Sequence, residues 1–370
     1  MPRNKRLHFK DIDGLRAIAF LPIYIFCILK LIQTQEEGMI YEAVNLIRYT
    51  ALSSMDFFFV IAAFLATSNG LREHKYLQSF SFKDFLIRRV IRLFPILFIG
   101  LLFAFLIHPW LVKVLALRPI LEHSSEYYLF LIPNYMISNT QNQYIYLAVI
   151  ASIYMFIQYY LVWGIVMKYL IKQIVPISII FIIAGIIDRG IHYYLGTDYF
   201  FDTMAYGIPI GIGAIVANWI RNESSIINKI KTFSKNVNLG LYVVGSIIFV
   251  FGYLLFSNTI LMLLVPFLIS IFVGYIIIEQ TFGKSLSTKM RKKKVLTHLG
   301  RINYGMVIYQ SIIGVLIMII IESLDYKLDS AYAILGITLA GYIATWVVSD
   351  LSYNLIEKPL ARIKSDFKKA

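Results

Sequence analysis

The chain has 370 residues, 59% hydrophobic and only 15% charged, a balance more apolar than a water-soluble core of this size requires. Most of it must face lipid or other apolar helices, which excludes an ordinary soluble enzyme. The formal net charge of +14 invites a nucleic-acid partner, but no basic stripe interleaved with stacking aromatics is present, so that class is excluded too.

Ten apolar stretches follow one another along the chain: 15–32, 51–69, 92–109, 144–168, 174–188, 201–220, 238–257, 259–280, 303–322 and 331–355. A helix of such length crosses about 30 Å of hydrocarbon. They predict an all-α, polytopic integral membrane protein with ten transmembrane helices in a single domain over residues 1–370. The two stretches around Asn258 also read as one long kinked span. Between 110 and 143 the apolar patch from Tyr127 to Pro133 is too short to span and suits a re-entrant or interfacial segment. The first stretch lacks a small-residue cleavage site, so it reads as a retained span.

Assigning the connecting segments alternately to two sides places 28 Lys and Arg on one side, against Lys113, Arg118, Arg189 and Lys327 on the other. This is the positive-inside pattern, and it predicts both termini in the cytoplasm. The run from Arg291 to Lys294 suits that topology role and also suits contact with anionic lipid headgroups. Cys27 is the only cysteine, so no internal disulfide forms. The six histidines have no paired helical spacing that would build a zinc site, and no metal is expected. His108 beside Pro109 is expected at headgroup level.

Five motifs then appear in order. Asp11-Ile12-Asp13-Gly14-Leu15-Arg16-Ala17-Ile18-Ala19 opens the first span. Phe57-Phe58-Phe59-Val60-Ile61-Ala62-Ala63-Phe64-Leu65 fills the second. Arg88-Arg89-Val90-Ile91-Arg92-Leu93-Phe94-Pro95 enters the third, and Pro95 is expected at a helix start, where its missing donor costs nothing. Leu299-Gly300-Arg301-Ile302-Asn303-Tyr304 and Leu351-Ser352-Tyr353-Asn354-Leu355-Ile356-Glu357-Lys358-Pro359 close the chain. Together these resemble the acyltransferase-3 family of membrane acyltransferases. The resemblance implies a bacterial cytoplasmic (inner) membrane location and acyl transfer from acyl-coenzyme A.

The departures from the family pattern carry more information than the matches. The resemblance implies a histidine base eleven residues beyond the first-span arginine; Cys27 stands there. It implies an acid in the middle helix within Trp-Ser-Leu-x-Val-Glu-x-Gln-Phe-Tyr-x-x-Trp. Here Gln158, Tyr160 and Trp163 remain, but Phe156 occupies the acidic position. Gln310 replaces a second histidine, and Ala62-Ala63 replaces Ser-Gly. Proton removal from an acceptor hydroxyl needs a group titrating near neutrality, worth about 10²–10⁴ in rate. Gln310 and Phe156 cannot titrate, and an apolar helix is a poor place for the thiolate a nucleophilic Cys27 would need. Cys27 therefore reads first as a small core residue.

The remaining candidates each have two readings. Arg88, Arg89 and Arg92 suit the phosphates of acyl-coenzyme A, clustered at the cytoplasmic end of a cavity, and suit cytoplasmic anchoring equally. Asp13, Arg16 and Glu357 suit a structural polar network, because such charges are costly to bury unpaired. Glu357 with Lys358 and Pro359 also suits a helix-end stop. Tyr159, Tyr160 and Trp163 read as packing and interface residues. The chain is thus expected to be a divergent, non-catalytic acyltransferase-3-like protein, retained as a subunit or binding partner of another membrane protein. The alternatives are an active enzyme moving an acetyl or other acyl group from acyl-coenzyme A to an exterior glycan or lipid-linked sugar, and transport of a small polar substrate. The spans from 238 to 280 contain no ionisable residue before Glu279, which counts against transport. With Cys27 changed to Ala, Glu37→Cys and Lys293→Cys are expected to label from opposite sides of the membrane, and labelling of both from outside would overturn the topology.

Overall fold

In a computed structural model, residues 9–32, 38–115, 126–139, 145–257, 259–283, 289–324 and 330–360 are described. The α-helices are α1 (Lys10–Ile32), α2 (Met39–Leu77), α3 (Phe82–Leu102), α4 (His108–Val114), α5 (Glu126–Leu129), α6 (Pro133–Asn139) and α7 (Ile145–Tyr169). They continue as α8 (Ile174–Leu195), α9 (Gly207–Arg221), α10 (Ser225–Lys231), α11 (Lys235–Phe256), α12 (Val265–Phe282), α13 (Lys294–Ser323) and α14 (Ala331–Ser352). The described residues contain no strand. Among them, nine helices are long and apolar enough to cross a membrane, as expected of a multi-pass membrane protein, whose backbone polar groups must be satisfied within each span.

The stretch 201–220 behaves differently from the other nine. It forms a 3-10 turn (Met204–Tyr206) and then α9, only 15 residues long. At 1.5 Å per residue α9 reaches about 22 Å, short of a hydrocarbon core. Its residues Gly207, Ile208, Pro209, Ile210 and Gly211 are all buried, so its apolarity serves protein packing rather than lipid contact. α11 and α12 are separate helices, with Thr259 in an extended conformation between them; Asn258 lies outside the described residues. The Tyr127–Pro133 patch forms only short pieces of helix, α5 and the start of α6.

Prolines shape the helices more than the sequence suggests. Pro95 lies well inside α3, which starts at Phe82, and so is not at a helix start. Two π turns occur, Phe103–Ile107 after α3 and Tyr353–Glu357 after α14. Each ends two residues before a proline, Pro109 or Pro359. A proline ring clashes with the carbonyl four residues back and cannot donate to it. Here that carbonyl falls within a π turn, whose extra residue shifts the hydrogen bonding and lets the helix continue. The last helix therefore runs through Pro359 to Leu360 rather than stopping at Glu357.

The chain divides into two units: residues 1–22, 46–86 and 156–301, and residues 23–45, 87–155 and 302–370. In the first, α8 and α9 pack with almost no space between backbones. A Cβ added at Gly207 would stand 2.1 Å from the Phe181 carbonyl oxygen, and one at Gly211 would stand 2.4 Å from that of Ser178. Small residues at such crossings let helices approach where the hydrophobic effect gives no help. The motifs at the two ends of this unit meet in the same way. Asp11 Oδ1 accepts the Arg291 N–H at 2.8 Å, and a Cβ at Gly300 would fall 1.5 Å from the Asp13 carbonyl oxygen. In the second unit, Tyr24 donates to the Thr338 carbonyl at 2.7 Å and packs edge-on against Tyr342.

Two of the charge assignments change. Arg48 precedes the second apolar stretch and belongs with the minority-side cations; it pairs with Asp198 at 2.6 Å. Arg189 is not a loop residue at all but is buried within α8. The exchange leaves the count at 28 against four, which holds where 201–220 carries the chain across; with nine crossings every later segment would change sides. Gly300→Ala is expected to lower stability by about 1–3 kcal/mol or more through overpacking against backbone. Gly336→Ala in α14, where nothing lies within 4 Å of the new Cβ, should instead be neutral or raise stability by about 0.5–1 kcal/mol. Thermal unfolding of the two variants in detergent orders them.

Candidate functional site

In the second unit, the two positions where the family pattern implies histidines are neighbours. The Gln310 side-chain amide of α13 donates to the Cys27 sulfur of α1 at 3.9 Å. Both are buried, Cys27 at 6% and Gln310 at 3% exposure. Gln310 Oε1 accepts no hydrogen bond from any described residue. Gln310 can orient a neighbour but cannot exchange a proton with it. His108 is also in this unit and is buried, its ring tilted against Phe103.

Glu357, reoriented by the π turn, lies near α13: a Cβ on Gly305 would be 3.5 Å from its Oε1. That oxygen accepts no hydrogen bond from the described residues. The charge of Arg92 acts on Glu357, so the carboxylate has an electrostatic partner on α3. Arg88 and Arg89 are half-buried, whereas Arg92 is exposed. Arg88 and Arg92, four residues apart, share a helix face. The three arginines lie in the first half of α3.

In the first unit, Phe156 of α7 is one layer of an aromatic stack. Its ring lies 4.3 Å from that of Phe59, which stacks in turn on Tyr206 at 4.4 Å. A carboxylate at 156 would have to be accommodated against a ring face, which carries partial negative charge. Asp13 and Arg16 pair with each other at 3.4 Å; Glu357 belongs to the other unit. Trp163 is fully buried and donates to Thr67 Oγ1 at 2.9 Å, a packing role.

The sequence reading missed the most deeply buried charges. Asp56 of α2 and Arg189 of α8 pair at 2.6 Å, with exposures of 0% and 2%. Arg189 also donates to Tyr253 Oη and to the Ala205 carbonyl, each at 2.6 Å, while Tyr253 donates to Asp56 Oδ2. The Tyr199 and Tyr206 rings face the guanidinium at 4.6 and 5.4 Å. Burial pushes the Tyr199 phenol up to about 12, so it stays neutral and offers its ring face to the cation. The available signal was a lone carboxylate in the apolar stretch 51–69, which requires a partner. A second pair, Glu279 with Lys289 at 3.0 Å, buries a lysine expected in a solvated loop.

No family model, curated protein or solved structure matches the chain.

Asp56 and Arg189 saturate one another with Tyr253 and a backbone carbonyl, an arrangement suited to holding α2, α8 and α11 in register. Asp56→Asn or Arg189→Met is expected to cost about 3–5 kcal/mol, because each strands a buried partner. The double variant Asp56→Leu/Arg189→Met should recover much of that loss. A double-mutant cycle by detergent or thermal unfolding measures this coupling.

Proposed function

We propose that the chain is a divergent, non-catalytic acyltransferase-3-like membrane protein that serves as a subunit or binding partner of another membrane protein. The observation that carries this reading is the pairing of Gln310 with Cys27 at 3.9 Å, both buried, with neither supplying a base poised near neutrality. The aromatic stack at Phe156 supports it, since a ring there cannot orient or protonate an imidazole. The five ordered sequence motifs support the family resemblance and, through it, the bacterial inner membrane; the 28-to-4 charge asymmetry supports ten crossings with both termini cytoplasmic, which requires the enclosed 3-10 turn and α9 together to carry the chain across. Membrane lipids complete the environment.

One observation favours an active enzyme instead: Glu357 Oε1 accepts no hydrogen bond from the described residues and lies within the field of Arg92. That enzyme would move an acyl group from acyl-coenzyme A, with Arg88, Arg89 and Arg92 on the donor phosphates.

Purification in mild detergent followed by mass spectrometry separates the two readings. A stoichiometric membrane-protein partner and no bound coenzyme A are expected. Co-purified coenzyme A, or transfer of labelled acetyl from acetyl-coenzyme A that is lost in Glu357→Gln, would overturn the non-catalytic reading.

A further inference from the structure

At the C-terminal end of α8 the structure gathers three metal-ligating side chains that play no part in the proposed site. Asp188 and His192, four residues apart, project from the same helix face. α8 then ends at Gly196, in the left-handed conformation with φ 66°, and the Thr197 N–H returns to the His192 carbonyl at 3.0 Å. That reversal brings the Thr197 hydroxyl to His192 Nδ1 at 2.7 Å. Asp202 is fixed further along the same loop. Its N–H donates to the Tyr199 carbonyl, and its Oδ1 accepts the Met204 N–H, both at 2.9 Å. Its Oδ2 is left 3.5 Å from His192 Nε2, and Asp188 Oδ2 stands 3.9 Å from the same nitrogen.

We propose that Asp188, His192 and Asp202 form a binding site for a first-row divalent metal cation such as Zn²⁺ or Mn²⁺. Three observations carry this. First, the ligand atoms all lie within 4.8 Å of one another. Ligands about 2.1 Å from a tetrahedral metal stand about 3.4 Å apart, whereas a direct charge-assisted N–H···O bond is shorter, about 2.7–2.9 Å. The two spacings to His192 Nε2 match ligands around an ion more closely than a histidine bonded directly to either carboxylate. Second, Thr197 Oγ1 stands 2.7 Å from His192 Nδ1, where it can accept that nitrogen's proton and so leave Nε2 free to ligate an ion between two anionic oxygens. Such a partner on the far nitrogen is the usual device for fixing a ligating tautomer. Third, Asp188 Oδ2 is shielded from solvent and accepts no hydrogen bond from any described residue.

The donor set selects among ions. One imidazole with two carboxylates suits zinc or manganese, whereas magnesium and calcium favour all-oxygen shells. Three protein ligands leave at least one coordination position for water. Tyr193 and Tyr194 beside the site are 43% and 88% exposed. Exposed tyrosines at the end of an apolar helix suit the membrane–water boundary, a level that an aqueous ion can reach.

Co²⁺ titration of the full chain, stripped with EDTA in detergent and free of added histidine tags, tests the site. One saturable Co²⁺ per chain is expected, with visible absorption bands that Zn²⁺ displaces. His192→Asn and Asp202→Asn should abolish the bands, and Thr197→Val should weaken binding about 10–100-fold, as expected of a residue that only orients a ligand. Absence of saturable binding by the folded wild-type chain would overturn the proposal, and so would undiminished binding in His192→Asn. The wild-type titration decides even if a variant fails to fold.

Discussion

The ion pair between Asp56 and Arg189 constrains the first unit more than any other single interaction. Neither charge is tolerable alone in an apolar helix bundle, and each removes the desolvation cost of the other only if the helices hold their register. The guanidinium directs three donors along different lines, to Asp56, to Tyr253 and to the Ala205 carbonyl. This ties α2, α8, α11 and the segment before α9 to one geometry. The Gly207 and Gly211 contacts in α9 and the Phe156, Phe59 and Tyr206 stack follow from that placement. Tyr206 belongs both to the stack and to the face presented to Arg189.

The substitutions that distinguish this chain from the family pattern are integrated into packing rather than left as gaps. Phe156 completes a stack of three rings, and Cys27 and Gln310 make a weak amide-to-sulfur contact. Buried side chains at native density tolerate few voids, and among the described residues these positions leave none that the contacts do not fill. Against this background Glu357 is the exception, because the π turn caused by Pro359 directs a carboxylate toward Gly305 with one oxygen unsatisfied.

Long apolar stretches were legible from sequence because lipid-facing helices announce themselves by length and hydropathy. The region 201–220 passed the same test for the opposite reason: α9 is apolar because it is enclosed by protein. Arg189 was read as a loop cation because positive-inside reasoning counts charges without asking where a helix ends. α8 runs to Leu195, a turn and a half beyond that residue. Pro359 misled because proline is a reliable helix breaker only where no neighbouring π turn absorbs it, and Pro95, expected at a helix start, lies inside α3. The Asp188, His192 and Asp202 cluster could not be found by helical spacing among histidines, because two of its ligands are carboxylates and one comes from a loop.

The positions expected to carry acyl-transfer chemistry are filled by packing side chains, and Cys27 reports on their closure directly. The rate of alkylation of this only cysteine by N-ethylmaleimide, followed by intact mass in native membranes and after denaturation, measures whether its sulfur is enclosed. The native protein is expected to stay unmodified and to gain one adduct after unfolding. Rapid stoichiometric alkylation of the native protein would contradict it, showing an open site where the structure places a closed one.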